Sequence, residues 1–483
     1  MKTKILSLLL IFVLIFGMLS LGSCSLFPSP EPDPEPTPKP EPEPTPEPTP
    51  EPENPGYNPG DWFKPGTEFV PADPPSEYSF RIQRYRLVEF RDKLLSQVDK
   101  CIESYGGKFP NAYSTNYLYK PGENTAGWIQ GFWPGVLWNA YELSGDVKYK
   151  DAAMALVESF AGRSDDDTHD LGFLHSPSCV AAYKLTGDAT AKAIALQAAD
   201  TLIEKRYRAD EGFIQAWGVV HEITEENRDD ADVVGEYRLI VDTLMNLPLL
   251  YWASEETGDP KYKNAANSHL EYATALLWRA DGSTYHTYFF DPETGEPRPA
   301  VGEWTNPKTG KTHAGGGVTH QGLADGSAWA RGQSWAIYGP ALAYGYTKDA
   351  DVLAAFKASA NYFIAHLPSD LIPYWDFTYT DGSDEPRDAS AAAIAICGLL
   401  EGASYLDEDD PDRERYEYYA HKMMEALMTK CAAHDKEGAN GLLIGATQNR
   451  TTNKGVEEMT PYGDYFFIEA LQRMLNEEWT PYW

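Results

Sequence analysis

The sequence predicts an all-α protein, an (α/α)6 barrel of six helical hairpins, preceded by a signal peptide and a disordered Pro/Glu/Thr linker. Three observations lead there. From about Arg84 onward, apolar residues recur with a helical period in about twelve segments, and strand-like alternation is scarce. A punctuation mark separates segments: Ser144-Gly145-Asp146, Thr186-Gly187-Asp188 and Thr257-Gly258-Asp259, with Thr347-Lys348-Asp349 as a degenerate copy. Glycine can take the left-handed position that ends one helix, and aspartate can cap the next, so each copy marks a tight hairpin. A hairpin cannot bury its apolar face alone, and six closing on one another share one core. An open superhelix of stacked hairpins is the alternative.

Taken in order, the chain begins with Lys2 and Lys4 before an apolar run, Ile5 to Leu21, that ends in Leu21-Gly22-Ser23-Cys24. This reads as a signal peptide over 1–23 rather than a spanning element. Its LGSC ending resembles the bacterial lipoprotein signal. That resemblance implies lipidation of Cys24 and an exported chain held at the cell envelope by its N-terminal lipid alone, at the cell surface or in the periplasm. A plain secretory signal with a chance cysteine is the alternative. Pro28 to about Pro59 alternates Pro with Glu or Thr, a composition that buries no core and favours extended polyproline II, so 24–60 reads as the lipidated Cys and a Pro-rich stalk. The predicted catalytic domain is 61–483.

The net charge of -33, part of which the stalk carries, argues against nucleic acid, whose phosphates require a basic stripe. Cys101, Cys179, Cys397 and Cys431 are widely spaced without CxxC or CxxH pairing, and read as free buried thiols rather than a disulfide or zinc framework.

The predicted helices are 84–104, 132–144, 147–161, 175–186, 189–206, 239–257, 260–278, 328–346, 350–367, 388–404, 411–431 and 462–475. The connections before the even-numbered helices are long and the hairpin turns after them short. The unusual residues crowd into the long ones. Trp128 and Trp133 precede or begin the second helix, His169 and Asp170 the fourth, and Trp217 and Asp242 the sixth. Gln321 and Arg331 flank the start of the eighth, Asp388 opens the tenth, and Tyr462 and Tyr465 open the twelfth. In a closed barrel these converge on one end.

Asp242 is the central candidate because Tyr237 to Trp252, YRLIVDTLMNLPLLYW, places one carboxylate in an apolar run that reads as a buried helix. Burial disfavours the charged form, so its pKa is expected to rise and a proton to stay on it near neutrality, as a general acid requires. The alternative is a carboxylate that only caps or hydrogen-bonds the helix. Asp170 arrives from the neighbouring hairpin, and a carboxylate pair is the usual equipment of glycoside hydrolysis. Aromatics make up 13% of the chain, more than packing alone asks for, and Trp128, Trp133, Trp217 and Trp335 could stack on a sugar or simply fill the core. Arg331 at a helix start, with Gln321, could seat a substrate carboxylate; a structural salt bridge is the alternative. His286 could bond a sugar hydroxyl or satisfy its own loop. No spacing suggests a metal site, and GGGV at 315–318 lacks the lysine of a phosphate loop, so no cofactor is expected.

THDLGF (168–173), LIVDTLMNLPLLYWA (239–253), THQG (319–322), ARGQSWAIYG (330–339), RDASAAAIA (387–395) and YGDYFFIEAL (462–471) together resemble the motif series of the unsaturated glucuronyl hydrolases, glycoside hydrolase family 88. The resemblance spans about 80 to 476 and implies an (α/α)6 barrel. It also implies hydration of the C4=C5 bond of the 4,5-unsaturated uronic acid that polysaccharide lyases leave at a non-reducing end. The unstable product then opens and releases the adjoining sugar. Carried over by motif, Asp242 is the general acid and base and Asp170 the second carboxylate. His169, Trp128, Trp133, Trp217, His286, Gln321, Arg331, Trp335, Tyr462 and Tyr465 match positions that hold the sugar. The Pro- and Gly-rich loop 291–318 is longer than that pattern.

Three rivals differ in class. The unsaturated rhamnogalacturonyl hydrolases share the barrel but act on pectin fragments. A tethered, non-catalytic glycan-binding lipoprotein explains the anchor and the aromatics but has no use for a buried Asp242. A sugar epimerase on this barrel requires paired histidines at the mouth, and the chain's 10 histidines do not repeat that way.

Overall fold

In the computed structural model, which describes residues 79–218 and 229–483, the hairpin punctuation forms as the sequence predicts. Gly145, Gly187 and Gly258 sit at φ of 70°, 74° and 72°, and Lys348 takes the same left-handed position at 54°. The aspartate after each caps the next helix: Asp146 accepts from Lys148 N, Asp188 from Ala191 N, Asp259 from Lys261 N and Asp349 from Asp351 N.

Helix α1 is Arg84–Tyr105, α2 is Phe132–Ser144 and α3 is Val147–Val157. Helix α4 joins three pieces, Leu171–His175, a π-helical turn Ser176–Val180, and Ala181–Thr186. Then come α5, Ala189–Arg206, and α6, Leu247–Thr257, the latter led by a 3₁₀ turn over Val241–Met245. Helices α7 (Pro260–Leu277), α8 (Ala330–Thr347) and α9 (Ala350–Ala365) follow. The series ends with α10 (Ala389–Ala403), α11 (Pro411–Lys430) and α12 (Pro461–Leu475).

The even helices form a closed inner ring: α2 packs on α4, α4 on α6, α6 with its leading turn on α8, α8 on α10, α10 on α12, and α12 back on α2. The odd helices lie outside, each against a ring member, which is the (α/α)6 arrangement. Ring helices are buried on nearly every side because each faces both the barrel interior and an outer partner. Small residues set their spacing. A Cβ on Gly398 of α10 would stand 2.8 Å from Tyr338 Cα of α8, so that crossing requires glycine.

One predicted element is corrected. Tyr237 to Trp252 is not one helix: Arg238–Ile240 is a strand, pairing antiparallel with Thr287–Phe289, which in turn pairs with Gly317–Val318. The run Leu239 to Val241 is apolar and β-branched enough to serve either period, and its strand partners lie too far along the chain to be read from it. Asp242 therefore sits in the turn between strand and helix. The long 291–318 loop carries its own hairpin, Trp304–Thr305 against Thr312–His313. That hairpin rests on the 230–236 segment, where Asn306 Nδ2 donates to Gly235 O at 3.1 Å and Lys308 lies 3.1 Å from Glu236.

The four cysteines Cys101, Cys179, Cys397 and Cys431 are free and buried. No described helix is long and apolar enough to cross a membrane. The predicted signal peptide, Cys24, the 24–60 linker and the domain start at 61 lie outside the described residues.

Candidate active site

The starts of the inner helices share one end of the barrel, and the chemistry-bearing side chains gather there. Asp170 stands at the N-cap position of α4, yet its side chain makes no capping bond. The cap role falls to the backbone, whose carbonyl accepts from Leu174 N at 3.1 Å, so the carboxyl is left for other work. Asn246, at the entry to α6, ties this region to its neighbour. Its Oδ1 accepts from Phe173 N at 2.8 Å, its Nδ2 donates to Asp242 O at 3.4 Å, and its side chain also hydrogen-bonds Asp170. Gly172 makes this closeness possible, since a Cβ there would lie 2.4 Å from Asn246 Cα.

Burial pushes the Asp170 carboxyl up to about 8, and the charge of Asp242 pushes the same way, while Arg206 and the bonds from Thr168 and Asn246 oppose them. A carboxyl that holds a proton near neutrality therefore stands at this mouth, on Asp170. The neighbouring imidazoles are neutral. Burial, with help from the Arg206 charge, holds His169 down at about 3, and burial likewise lowers His286.

Asp242 faces His286, with Nε2 3.3 Å from Oδ2. His286 Nδ1 lies 3.3 Å from the Gln321 N–H that donates to it, which leaves the ring proton on Nε2, toward the carboxylate. Trp217, half-buried, stands edge-on to both histidines, with ring centroids 5.4 Å from His169 and 6.0 Å from His286. The Arg238 guanidinium lies over the Trp217 ring at 4.3 Å, itself paired with Glu236 at 2.6 Å. Across the mouth, Trp128 stacks on Tyr462 at 5.3 Å and 14°. The structure therefore assembles Asp170, Asp242, His169, His286, Trp217 and Gln321 on one side, and Trp128 with Tyr462 on another.

Four residues depart from the expectation. Trp133 is core, packing edge-on against Tyr105 at 4.7 Å beside Cys101 and Leu442. Trp335 is fully buried between Phe173 and Phe466, and Tyr465 among Phe132, Phe466 and Trp483. A ring in an apolar run at a helix start points wherever the helix phase sends it, and here the phase is inward. Arg331 takes the salt-bridge alternative. Its Nη1 donates to Asp388 Oδ2 at 2.6 Å and Thr447 O at 2.7 Å, and its Nη2 to Gln448 O at 2.6 Å. The cation stacks between Trp329 and Tyr462.

Sequence reasoning passed over Asn246, Arg206, Trp329 and His320. Asn246 left a signal, being the third polar residue of the apolar LIVDTLMN run, after Asp242 and Thr243, and four places after Asp242. Trp329 lies 4.7 Å from the His286 ring and His320 stacks on it at 5.9 Å, contacts no spacing announces. Among the described residues, no cluster of three or more His, Cys, Asp or Glu is arranged to hold a metal ion. A separate recess of about 860 Å³, lined by Lys184, Tyr346, Tyr405, Arg473 and Trp483, opens at the other end of the barrel, where the inner helices finish.

A closed (α/α)6 barrel with two facing carboxylates and aromatic walls at one mouth defines a carbohydrate-active enzyme of the glycosidase kind. The chain belongs to Glycosyl Hydrolase Family 88, whose model matches residues 101–476. It is 40% identical over 406 residues to the unsaturated chondroitin disaccharide hydrolase of Streptococcus agalactiae serotype III, covering 83% of this chain and 94% of that one. It is also 40% identical over 386 residues to the unsaturated glucuronyl hydrolase of Bacillus sp. strain GL1, covering 79% and 94%. The crystal structure of the unsaturated glucuronyl hydrolase from Streptococcus agalactiae superposes with a TM-score of 0.75 at 40% identity, over 84% of this chain and 95% of that one.

Proposed function

We propose that the chain hydrates the C4=C5 double bond of a 4,5-unsaturated glucuronic acid at the non-reducing end of lyase-generated oligosaccharides. The observation that carries this reading is the meeting of Asp170, whose carboxyl keeps its proton toward pH 8, with Asp242 at the mouth of a Family 88 barrel. In a coupled pair the proton belongs to both carboxyls. Asp242 delivers it to C4 and then takes one from the water that adds at C5. The hydroxyl now on C5 makes a hemiketal, which opens to a C5 ketone and lets C1 release the adjoining sugar. Trp217 and Trp128 wall the sugar, and Gln321 and His286 orient it.

Several relatives bear on the sugar. One Streptococcus agalactiae structure is complexed with dGlcA-GalNAc6S, and another structure, 28% identical with a TM-score of 0.70, is of an enzyme specific for heparin. These support glycosaminoglycan-type disaccharides over pectin fragments. The LGSC ending and the Pro-rich stalk support a chain lipidated at Cys24 and exported to the cell envelope, where a polysaccharide lyase supplies its substrate.

The test is the loss of enoate ultraviolet absorbance from lyase-generated disaccharides, with the wild type and Asp242→Asn. Bleaching by the wild type alone is the expected result. Binding without bleaching by either would favour the tethered glycan binder.

A further inference from the structure

Arg206 closes α5, an outer helix, yet only 5% of it is exposed and its guanidinium reaches inward to two separate segments of the mouth. Nη1 donates to Ala216 O at 2.9 Å and to Gly218 O at 2.8 Å, the two carbonyls that bracket Trp217. Nη2 donates to Asp167 O, and Nε lies 2.8 Å from Asp167 Oδ1, three residues before Asp170. Lys205 adds a second tie nearby, with Nζ 2.9 Å from Asp165 Oδ1. One planar fork therefore holds the segment carrying Trp217 against the loop carrying His169 and Asp170. Lysine, a single point donor, cannot span that arrangement.

We propose that Arg206 is a positioning residue that clasps the Asp170 segment to the Trp217 segment, and that its charge acts on the Asp170 carboxyl. The kinetic consequences rest on the hydration reading, and the clasp itself on geometry. Asp170 is faced by Asp242 from the turn before α6, by Asn246 from the entry to α6, by Thr168 and His169 from its own loop, and by Arg206 from α5. Among these Arg206 is the cation, and it opposes both burial and the Asp242 charge. Burial lowers the Arg206 pKa, and the charges of Asp167 and Asp170 oppose that loss. The Arg206 charge suppresses protonation of His169, so the proton of the mouth stays with the carboxyl pair.

The experiment compares the full chain with Arg206→Met and Arg206→Lys. In the bleaching assay, Arg206→Met is expected to raise KM about tenfold and to move the alkaline limb of the kcat/KM profile upward by about one pH unit, the size expected on losing one nearby opposite charge. Arg206→Lys keeps the charge and loses the fork, so KM rises while the limb stays in place. A substrate-free measurement runs beside it: the pH dependence of Tm, with and without Asp170→Asn, in the Arg206 and Arg206→Met backgrounds. The Asp170 contribution should persist to higher pH in Arg206→Met. If Arg206→Met lowers Tm but moves neither the limb nor the Asp170 contribution, the residue is merely structural and the proposal falls. Failure of the wild type to bleach any unsaturated uronide would sink the hydration reading alone, and the Tm comparison would still decide the clasp.

Discussion

His286 Nε2 stands 3.3 Å from Asp242 Oδ2, with both atoms buried. The separation suits a bond and the alignment does not. Two buried polar atoms left facing each other are costly unless something completes them. Catalytic hydrogen bonds are often misaligned without substrate and tighten when it binds. His286→Ala should therefore lower kcat by about 10²-fold, the low end of what a placed acid–base group contributes, beyond any fall in Tm from the lost ring and the unpaired Gln321 N–H. Steady-state bleaching kinetics with a thermal melt checks this. A drop in Tm with unchanged kcat would make His286 a loop-satisfying residue instead.

The pH dependence of stability follows from Asp170. Its carboxyl is held at about 8 in the folded chain, against an ordinary value near 4, mainly by burial. The native state keeps a proton that the unfolded chain has shed, so stability falls as pH rises between those values. The contribution is complete below the ordinary carboxyl range and lost by the time pH has passed through about 8. Asp464, raised to about 7 by its own burial, acts in the same direction. Asp170→Asn removes only the first contribution. Its Tm should therefore decline less steeply from pH 5 to 8 than the wild type's, as differential scanning would show.

The fold was legible because its signals are local. Gly-Asp turns at 145, 187 and 258 ended and restarted helices where the sequence placed them, and even Lys348 obeyed the same punctuation. The helix starting at Leu247 was legible as well, but the strand before it was not. Arg238–Ile240 owes its conformation to Thr287–Phe289, which lies on the far side of α7 in the chain. The convergence of Asp170, Asp242, His169 and Trp217 followed from barrel closure. Which aromatic rings point into the mouth did not follow, since Trp128 and Trp133 lie five residues apart and face different neighbours. The long-range fork of Arg206 left no trace beyond a cation in a last helical turn.

Arg331 and Asp388 make a buried ion pair at 2.6 Å, with both side chains nearly inaccessible. Asp388 also accepts from Ser390 N and Thr447 N, so it fastens the start of α10 to the 447–448 loop. Removing one partner leaves the other charge buried and unpaired. Arg331→Met is expected to cost about 3–5 kcal/mol, the range for breaking a buried pair. Chemical denaturation measures it. The double variant with Asp388→Asn should recover part of the loss, whereas a residue that served only the substrate would leave denaturation unchanged.

Gly172 offers the most local test of how the two carboxylates are held together. It follows Asp170 by two residues, on the first turn of α4, and abuts Asn246 at the entry to α6. A Cβ at this position would meet Asn246 Cα at 2.4 Å and its carbonyl oxygen at 2.8 Å, both backbone atoms that no rotamer change can move aside. Gly172→Ala must therefore push α4 away from the Asp242 turn. The strain is expected to cost about 1–3 kcal/mol, as overpacking of a closed core does. Because Asn246 bonds Phe173 N, Asp242 O and the Asp170 side chain, the same shift separates the carboxyls. A separation weakens their mutual repulsion, so the alkaline limb of the rate profile should move to lower pH while kcat falls. Asn246→Ala loses the bonds without the clash. It should lower kcat with a smaller loss of stability, and a Gly172→Ala enzyme with wild-type kcat and limb would show that the contact sets packing alone.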